Sequence, residues 1–254
     1  MTAPHLVVLS GSGISVESGI ETFRASDGLW ENHAVEDVAT PEAFARDPET
    51  VLAFYNRRRE QMRAARPNAA HRAIAELETA GFRVSVITQN IDDLHERAGS
   101  KSVLHLHGEL INARSSVDER MRYPLAKGGI ALGDLCDKGS QLRPDVVWFG
   151  EAVPLFGEAC ALVEAADFLL VVGTSLAVVP AATLLHYLPT DAACALVDPN
   201  AAALCPPGVQ PISAPAGEGV PALAEQWRKA GELLPFSGDL PSGAFLKTTP
   251  SSRQ

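Results

Sequence analysis

Cysteine, methionine and the large aromatics are scarce in this chain: 254 residues hold 4 Cys, 3 Met, 3 Trp and 3 Tyr. The four thiols, Cys136, Cys160, Cys194 and Cys205, form no close-spaced pair, which excludes a disulfide scaffold and suits reduced thiols in a cytoplasm. Positive charge is also in deficit. With 21 Lys+Arg against 31 Asp+Glu the formal net charge is −10, so the basic footprint of a nucleic-acid binder is missing and basic peptides are the better candidate partners. No apolar run approaches the roughly 18 residues of a membrane span, and the opening MTAPHLVVLSGSG has no basic n-region. Neither a signal peptide nor a membrane anchor is expected, and the expected location is cytoplasmic. A hydrophobic content of 46 % excludes disorder and collagen. The length suits one large α/β domain, alone or with a small satellite.

Short β-branched runs alternate with helical stretches. Buried strands are expected at 5–9, 83–88, 102–106, 145–149, 168–172 and 194–197, and that alternation implies a parallel sheet covered by helices. Asp47 before Pro48 reads as a helix N-cap, and Asn68 caps a second helix ending at Gly81, so two helices separate the first two strands. Residues 109–143 carry no sustained period and read as an inserted module. Joined with 31–66 they make a small domain facing a main domain of 1–30, 67–108 and 144–234, with a ligand cleft between them. Ser, Pro and Gly in 235–254 read as a frayed tail.

Directly after the first strand come Gly11, Ser12, Gly13, Ile14 and Ser15. Glycines there let backbone amides approach a pyrophosphate at a helix N-terminus. The next glycine, Gly19, is too late for G-x-G-x-x-G, which disfavours hydride transfer among the uses of a dinucleotide. A second strand-to-turn unit delivers Gly173, Thr174 and Ser175, with Pro180 near the start of the next helix. For either unit alone an ordinary strand-to-helix turn is the alternative; the pair favours a dinucleotide.

The second strand ends in Gln89, Asn90, Ile91, Asp92 and Asp93, at the sheet edge where α/β folds bind ligands. Asn90 and Asp92 suit a carboxamide or ribose, whereas Asp93 reads as a helix N-cap. In the run Leu104, His105, Leu106, His107, Gly108, alternation puts both histidines on one face. His107, beside glycine, is the candidate general base and His105 a core residue.

The stretches GSGISVESGIETFR, TQNIDDLHERAG, LHGEL, RPDVVWFGE and GTSLAVVPAA, in this order over 6–227, resemble the sirtuins, the NAD-dependent protein lysine deacylases. The likeness is strongest to bacterial members of the desuccinylating class. It implies a Rossmann-like parallel sheet with helices on both faces plus a smaller inserted domain, with NAD and an acylated lysine meeting in the cleft. By motif, Gly11, Ser12, Gly13, Ile14, Thr22, Phe23 and Arg24 would surround the diphosphate and nicotinamide ribose. Gln89, Asn90, Ile91 and Asp92 would hold the ribose and carboxamide, Gly173, Thr174 and Ser175 would add contacts to the dinucleotide, and Asp198, where asparagine is usual, would lie near the adenosine ribose. His107 matches the catalytic base, with Asn90 and Asp92 beside it in the catalytic set. The implied reaction has the acyl oxygen attack the ribose as nicotinamide leaves, yielding free lysine and O-acyl-ADP-ribose.

Trp148 and Phe149 match the stretch that pairs with the substrate backbone, although plain core packing would explain them too. Tyr55 and Arg58, three apart on a helix, match the pair that binds a succinyl carboxylate. A solvated basic run, with Arg57 and Arg59, is the alternative. Sirtuins usually carry two C-x-x-C pairs for a structural zinc. Here Ser115 and Asp118 stand near the first pair and Cys136 with Gly139 at the second, so no structural zinc is expected. Competing functions are an NAD glycohydrolase, a mono-ADP-ribosyltransferase or a non-catalytic NAD-binding module.

Overall fold

The computed structural model describes residues 3–21, 23–24, 29–30, 33–125 and 127–238, with the side chains of Phe23, Arg24 and Leu29 outside that description. Its strands are β1 (His5–Ser10), β2 (Phe23–Arg24), β3 (Leu29–Trp30), β4 (His33–Ala34), β5 (Arg83–Thr88), β6 (Val103–His105), β7 (Gly108–Ser115), β8 (Arg122–Pro124), β9 (Leu142–Val146), β10 (Phe168–Val172), β11 (Ala193–Val197) and β12 (Gln210–Ile212). The helices are α1 (Val35–Val38), α2 (Pro41–Arg46), α3 (Pro48–Ala64), α4 (Ala69–Thr79), α5 (Leu94–Ala98), α6 (Phe156–Glu164), α7 (Ala201–Leu204) and α8 (Ala216–Ala230), with 3-10 segments at Ser12–Ser18 and Ala181–Tyr187.

Six strands pair in the order β12-β11-β10-β1-β5-β6, and every pairing is parallel. Alternation along each strand serves two cores. Leu6, Val8, Val84, Val86, Phe168 and Leu170 face α4 and α8, meeting Ile74, Leu77, Leu223 and Trp227. Val7, Leu9, Ile87, Leu169 and Val171 face the opposite way, onto Ala159 and Val163 of α6 and Leu184 of the second 3-10 segment. This is the Rossmann-like α/β sheet the sequence implied. The chain runs outward from β1 through β5 to β6 and later returns to β10 on the other side of β1. The strand order therefore reverses beside β1, which opens a crevice at the carboxyl ends of β1 and β10.

A separate antiparallel sheet, β8-β7-β9, packs on α3 through Leu52, Ala113 and Ile130. A second cluster joins Phe54 and Tyr55 of α3 to Leu110, Val146 and Trp148. Both expected caps form: Asp47 Oδ1 accepts from the Thr50 amide, and Asn68 accepts from the amides of Ala70 and His71.

Three local expectations are corrected. The strand expected at 145–149 lies at Leu142–Val146 and pairs antiparallel with β7, outside the parallel sheet; the sixth parallel strand is the short β12. The first two parallel strands, β1 and β5, are separated by two short helices and a 3-10 segment besides the two long helices. The glycine turn opens into that 3-10 segment, not an α-helix.

Candidate active site

The turns after β1 and β10 press against each other. The Gly13 amide donates to the Gly173 carbonyl at 2.8 Å, and Gly11 to that of Val172 at 3.0 Å. A Cβ on Gly13 would stand 2.6 Å from Gly173 Cα, and one on Gly11 2.7 Å from Thr174 Cβ. These glycines thus permit one backbone to approach another, a role that the expected approach to a phosphate did not include. Ile14 is fully buried in the core and does not line the cleft.

Beside them, the end of β5 delivers a buried polar cluster. Asn90 and Asp92 are each 7 % exposed. Ser15 joins them: its hydroxyl accepts from Asn90 Nδ2 at 3.1 Å and donates to Asp92 Oδ2 at 3.0 Å. Asp92 Oδ1 also accepts the Leu94 amide at 3.2 Å. Capping of α5 therefore falls to Asp92, whereas Asp93, expected as the cap, makes no capping bond and pairs with Arg97 at 3.2 Å. Burial raises the Asp92 carboxyl above its ordinary range, and the Leu94 and Ser15 hydrogen bonds oppose that rise. Gln89 Nε2 donates to Thr174 Oγ1 at 3.2 Å, tying the end of β5 to the β10 turn.

The two histidines part company. β6 ends at His105, so alternation does not carry across to His107. His107 lines the cleft, and its Nδ1 is 3.1 Å from the Gln89 carbonyl. A carbonyl only accepts, so Nδ1 carries the proton and Nε2 keeps its lone pair. Burial lowers the His107 pKa below the usual imidazole value, against the carbonyl bond that raises it. His107 is a neutral ring with a basic nitrogen.

These groups surround a cavity of about 310 Å³ whose walls include Gly11, Ser12, Ser15, Gln89, Asn90, Ile91, Asp92, His107, Gly173, Thr174 and Ser175. Ile20, Met62, Leu110 and Val178 supply apolar wall. Thr22 lies outside the described residues, as do the side chains of Phe23 and Arg24. Asp198 is not brought to this wall; at the end of β11 its Oδ1 accepts the Asn200 amide at 2.8 Å.

From α3, Tyr55 and Arg58 reach the same cavity, 1 % and 7 % exposed. The guanidinium of Arg58 lies 4.5 Å from the Trp30 ring centroid. Arg59 is buried as well, donating to the Leu110 carbonyl, so of the three arginines only Arg57 matches a solvated run. Trp148 is core: Nε1 donates to the Tyr55 hydroxyl at 3.0 Å, and Arg143 stacks on its indole at 3.2 Å. Phe149 is 42 % exposed at the cleft, its amide donating to the Ala39 carbonyl.

Reasoning from sequence missed two residues. Ser15 was legible as a hydroxyl in the glycine turn but not as the link between Asn90 and Asp92. Glu151 accepts the Trp148 amide at 2.8 Å and is itself held by Arg143 at 2.6 Å and Arg114 at 3.1 Å. Nothing in its spacing announced that.

Residues 11–180 match the Sir2 family. The chain is 54 % identical to an NAD-dependent protein deacylase of Helicobacter pylori (strain ATCC 700392 / 26695), over 78 % of this chain and 85 % of that one. It is 53 % identical to an NAD-dependent protein deacylase of Aggregatibacter actinomycetemcomitans, over 78 % of this chain and 94 % of the relative. A solved Sir2 homolog–NAD complex superposes with a TM-score of 0.79 at 42 % identity, over 89 % of this chain and 90 % of that one. A Sir2–p53 peptide–NAD+ complex follows at 0.70 and 31 %, covering 89 % and 92 %.

Proposed function

The chain belongs to the Sir2 family and is an NAD-dependent protein deacylase, and we propose that it performs that reaction in the cleft beside β1, with His107 as the proton acceptor. The observation that carries this reading is the meeting of the two glycine turns, the Asn90–Ser15–Asp92 cluster and the neutral His107 on one cavity.

The wall fits the dinucleotide: buried amide, carboxylate and hydroxyl groups already held in place stand next to an apolar surface that excludes water. Gly11, Ser12, Gly173, Thr174 and Ser175 would hold the diphosphate side, and Gln89, Asn90 and Asp92 the ribose and carboxamide. Residues 22–24 join them on their motif. NAD, when bound, supplies an electrophilic ribose carbon and nicotinamide as leaving group. His107 Nε2 takes a proton from a ribose hydroxyl while Nδ1–H stays anchored to the Gln89 carbonyl. Asp92, buried beside Asn90, favours positive charge developing at the ribose.

The preferred acyl group is succinyl. Tyr55 and Arg58 present a buried hydroxyl and guanidinium to the cleft, a charge-assisted pair suited to a carboxylate. Phe149 meets the acyl-lysine segment at the mouth, with Trp148 anchoring it from the core. Their support is position: Trp148 is fixed by Glu151 and Arg143, and Phe149 is exposed.

The small sheet holds no structural zinc in this reading. Its one cysteine, Cys136, lies 3.3 Å from the Ser115 hydroxyl and 3.0 Å from that of Ser140, and Asp118 is paired with Lys138 at 2.8 Å. One thiol does not fit the family's four-thiolate site. Protein-bound zinc that is lost on Cys136→Ser would contradict this. A cytoplasmic setting agrees with four unpaired thiols.

Incubating the protein with NAD and acetyl- or succinyl-lysine peptide, with products resolved by mass, tests the function. Nicotinamide release that requires peptide and yields O-acyl-ADP-ribose is expected. Release without peptide would instead indicate a glycohydrolase, and no release a binding module.

A further inference from the structure

Behind the cleft, three elements bring Glu96 of α5, His105 at the end of β6 and Glu109 of β7 together, with one ligand atom from each lying within 4.8 Å of the others. His105 is 8 % exposed. Its Nδ1 is 3.3 Å from the Asn90 carbonyl, and its Nε2 is 2.7 Å from Glu96 Oε1 and 4.0 Å from Glu109 Oε1. Both ring nitrogens therefore face groups that only accept, and a neutral imidazole has one N–H to give. A positive ring, with an N–H on each nitrogen, meets both the Asn90 carbonyl and Glu96. One proton answers Glu96 and leaves Glu109 out of reach; a divalent cation answers both.

We propose that Glu96, His105 and Glu109 form a site for a first-row divalent cation of the Zn2+ class, separate from the catalytic cleft. Donor distances of about 2.0–2.2 Å put ligand atoms roughly 3–3.5 Å apart, so binding needs shifts of roughly an ångström in atoms already within 4.8 Å of one another, Nε2 and Glu96 parting from 2.7 Å as Glu109 closes from 4.0 Å. An imidazole among the donors selects Zn2+ or Co2+ over Mg2+ and Ca2+, which favour all-oxygen shells. The Nδ1 contact to a main-chain carbonyl is the outer-sphere partner that metal-bound histidines take. A cavity of about 620 Å³ adjoins all three ligands, leaving room for water in the remaining positions, and Asp145 and Glu158 lie on its wall. Arg83 and Arg122 oppose them, although Arg122 is already paired with Asp145 at 3.1 Å. His105 does not line the catalytic cavity, but its Nδ1 holds the carbonyl of Asn90, which does.

Titration of the metal-stripped full chain with Co2+, followed by visible absorption and calorimetry, tests the site. One saturable site with a nitrogen–oxygen spectrum is expected, displaced by Zn2+ and weakened at least about tenfold in Glu109→Gln. Glu96→Gln should behave alike if circular dichroism shows it folded. No saturation below about 1 mM, a spectrum with thiolate bands, or unchanged affinity in Glu109→Gln would overturn the assignment.

Discussion

The proposed acyl preference rests on one guanidinium, that of Arg58. Replacing it by methionine keeps an apolar side chain but removes the charge and the guanidinium that lies over Trp30. The Arg58→Met variant should lose about 10- to 100-fold in kcat/KM for a succinyl peptide while staying within about threefold on an acetyl peptide; paired kinetics with equal losses would remove the assignment. Ser15 is a different kind of residue, since it positions others. Its removal leaves Asn90 Nδ2 and Asp92 Oδ2 each without that bond in a buried place, at about 1–3 kcal/mol. Ser15→Ala should weaken NAD association roughly tenfold by calorimetry, and an unchanged dissociation constant would refute the link. His107 has its pKa lowered by burial, so it stays a base through neutral pH, and the acid limb of kcat/KM should fall below about 6.5. A midpoint above that value would mean another group governs the limb.

Among the elements, the strongest dependence is that of the β1 turn on the β10 turn. A methyl on Gly13 has nowhere to go, 2.6 Å from Gly173 Cα. Gly13→Ala should destabilise by about 1–3 kcal/mol in urea unfolding, with NAD binding weakened as the two turns separate; a neutral result would refute this account of the glycines. Strands β1, β5, β10 and β11 were legible because each is a run buried on both faces. β9 was not, because LRPDV reads polar while DVVWF reads as strand. The chain instead bends after Val146, driving Trp148 inward and folding Glu151 back onto its amide. β12 is three residues around Pro211, an edge strand too short to leave a period. His107 was singled out by its glycine neighbour and its motif, and its ring lines the cleft. The alternation argument for His105 failed because β6 stops there and the ring turns to Glu96.

Across the whole molecule, buried histidines set the response to acid. Burial lowers His71 to about 4 and also depresses His5 and His95. The unfolded chain takes up protons near 6.5 that these rings refuse while folded, so stability is present above 6.5 and drains as pH falls toward 4. His105 has the opposite sign: its pKa is raised beside Glu96 and Glu109, so its contribution is full below 6.5 and lost as pH rises through its folded value. With His107 lowered as well, four rings stand against one, so the unfolding free energy should fall between pH 7 and pH 5 in urea titrations, and a rise would contradict the assignment of neutral rings.

The central claim is that a neutral His107, held by the Gln89 carbonyl, accepts the proton in the cleft. Measuring acyl-peptide consumption by His107→Ala, with NAD at a concentration that calorimetry shows to be saturating, addresses it directly. The account predicts a loss of at least about 100-fold with NAD affinity kept within about threefold; deacylation at the parent rate would contradict it.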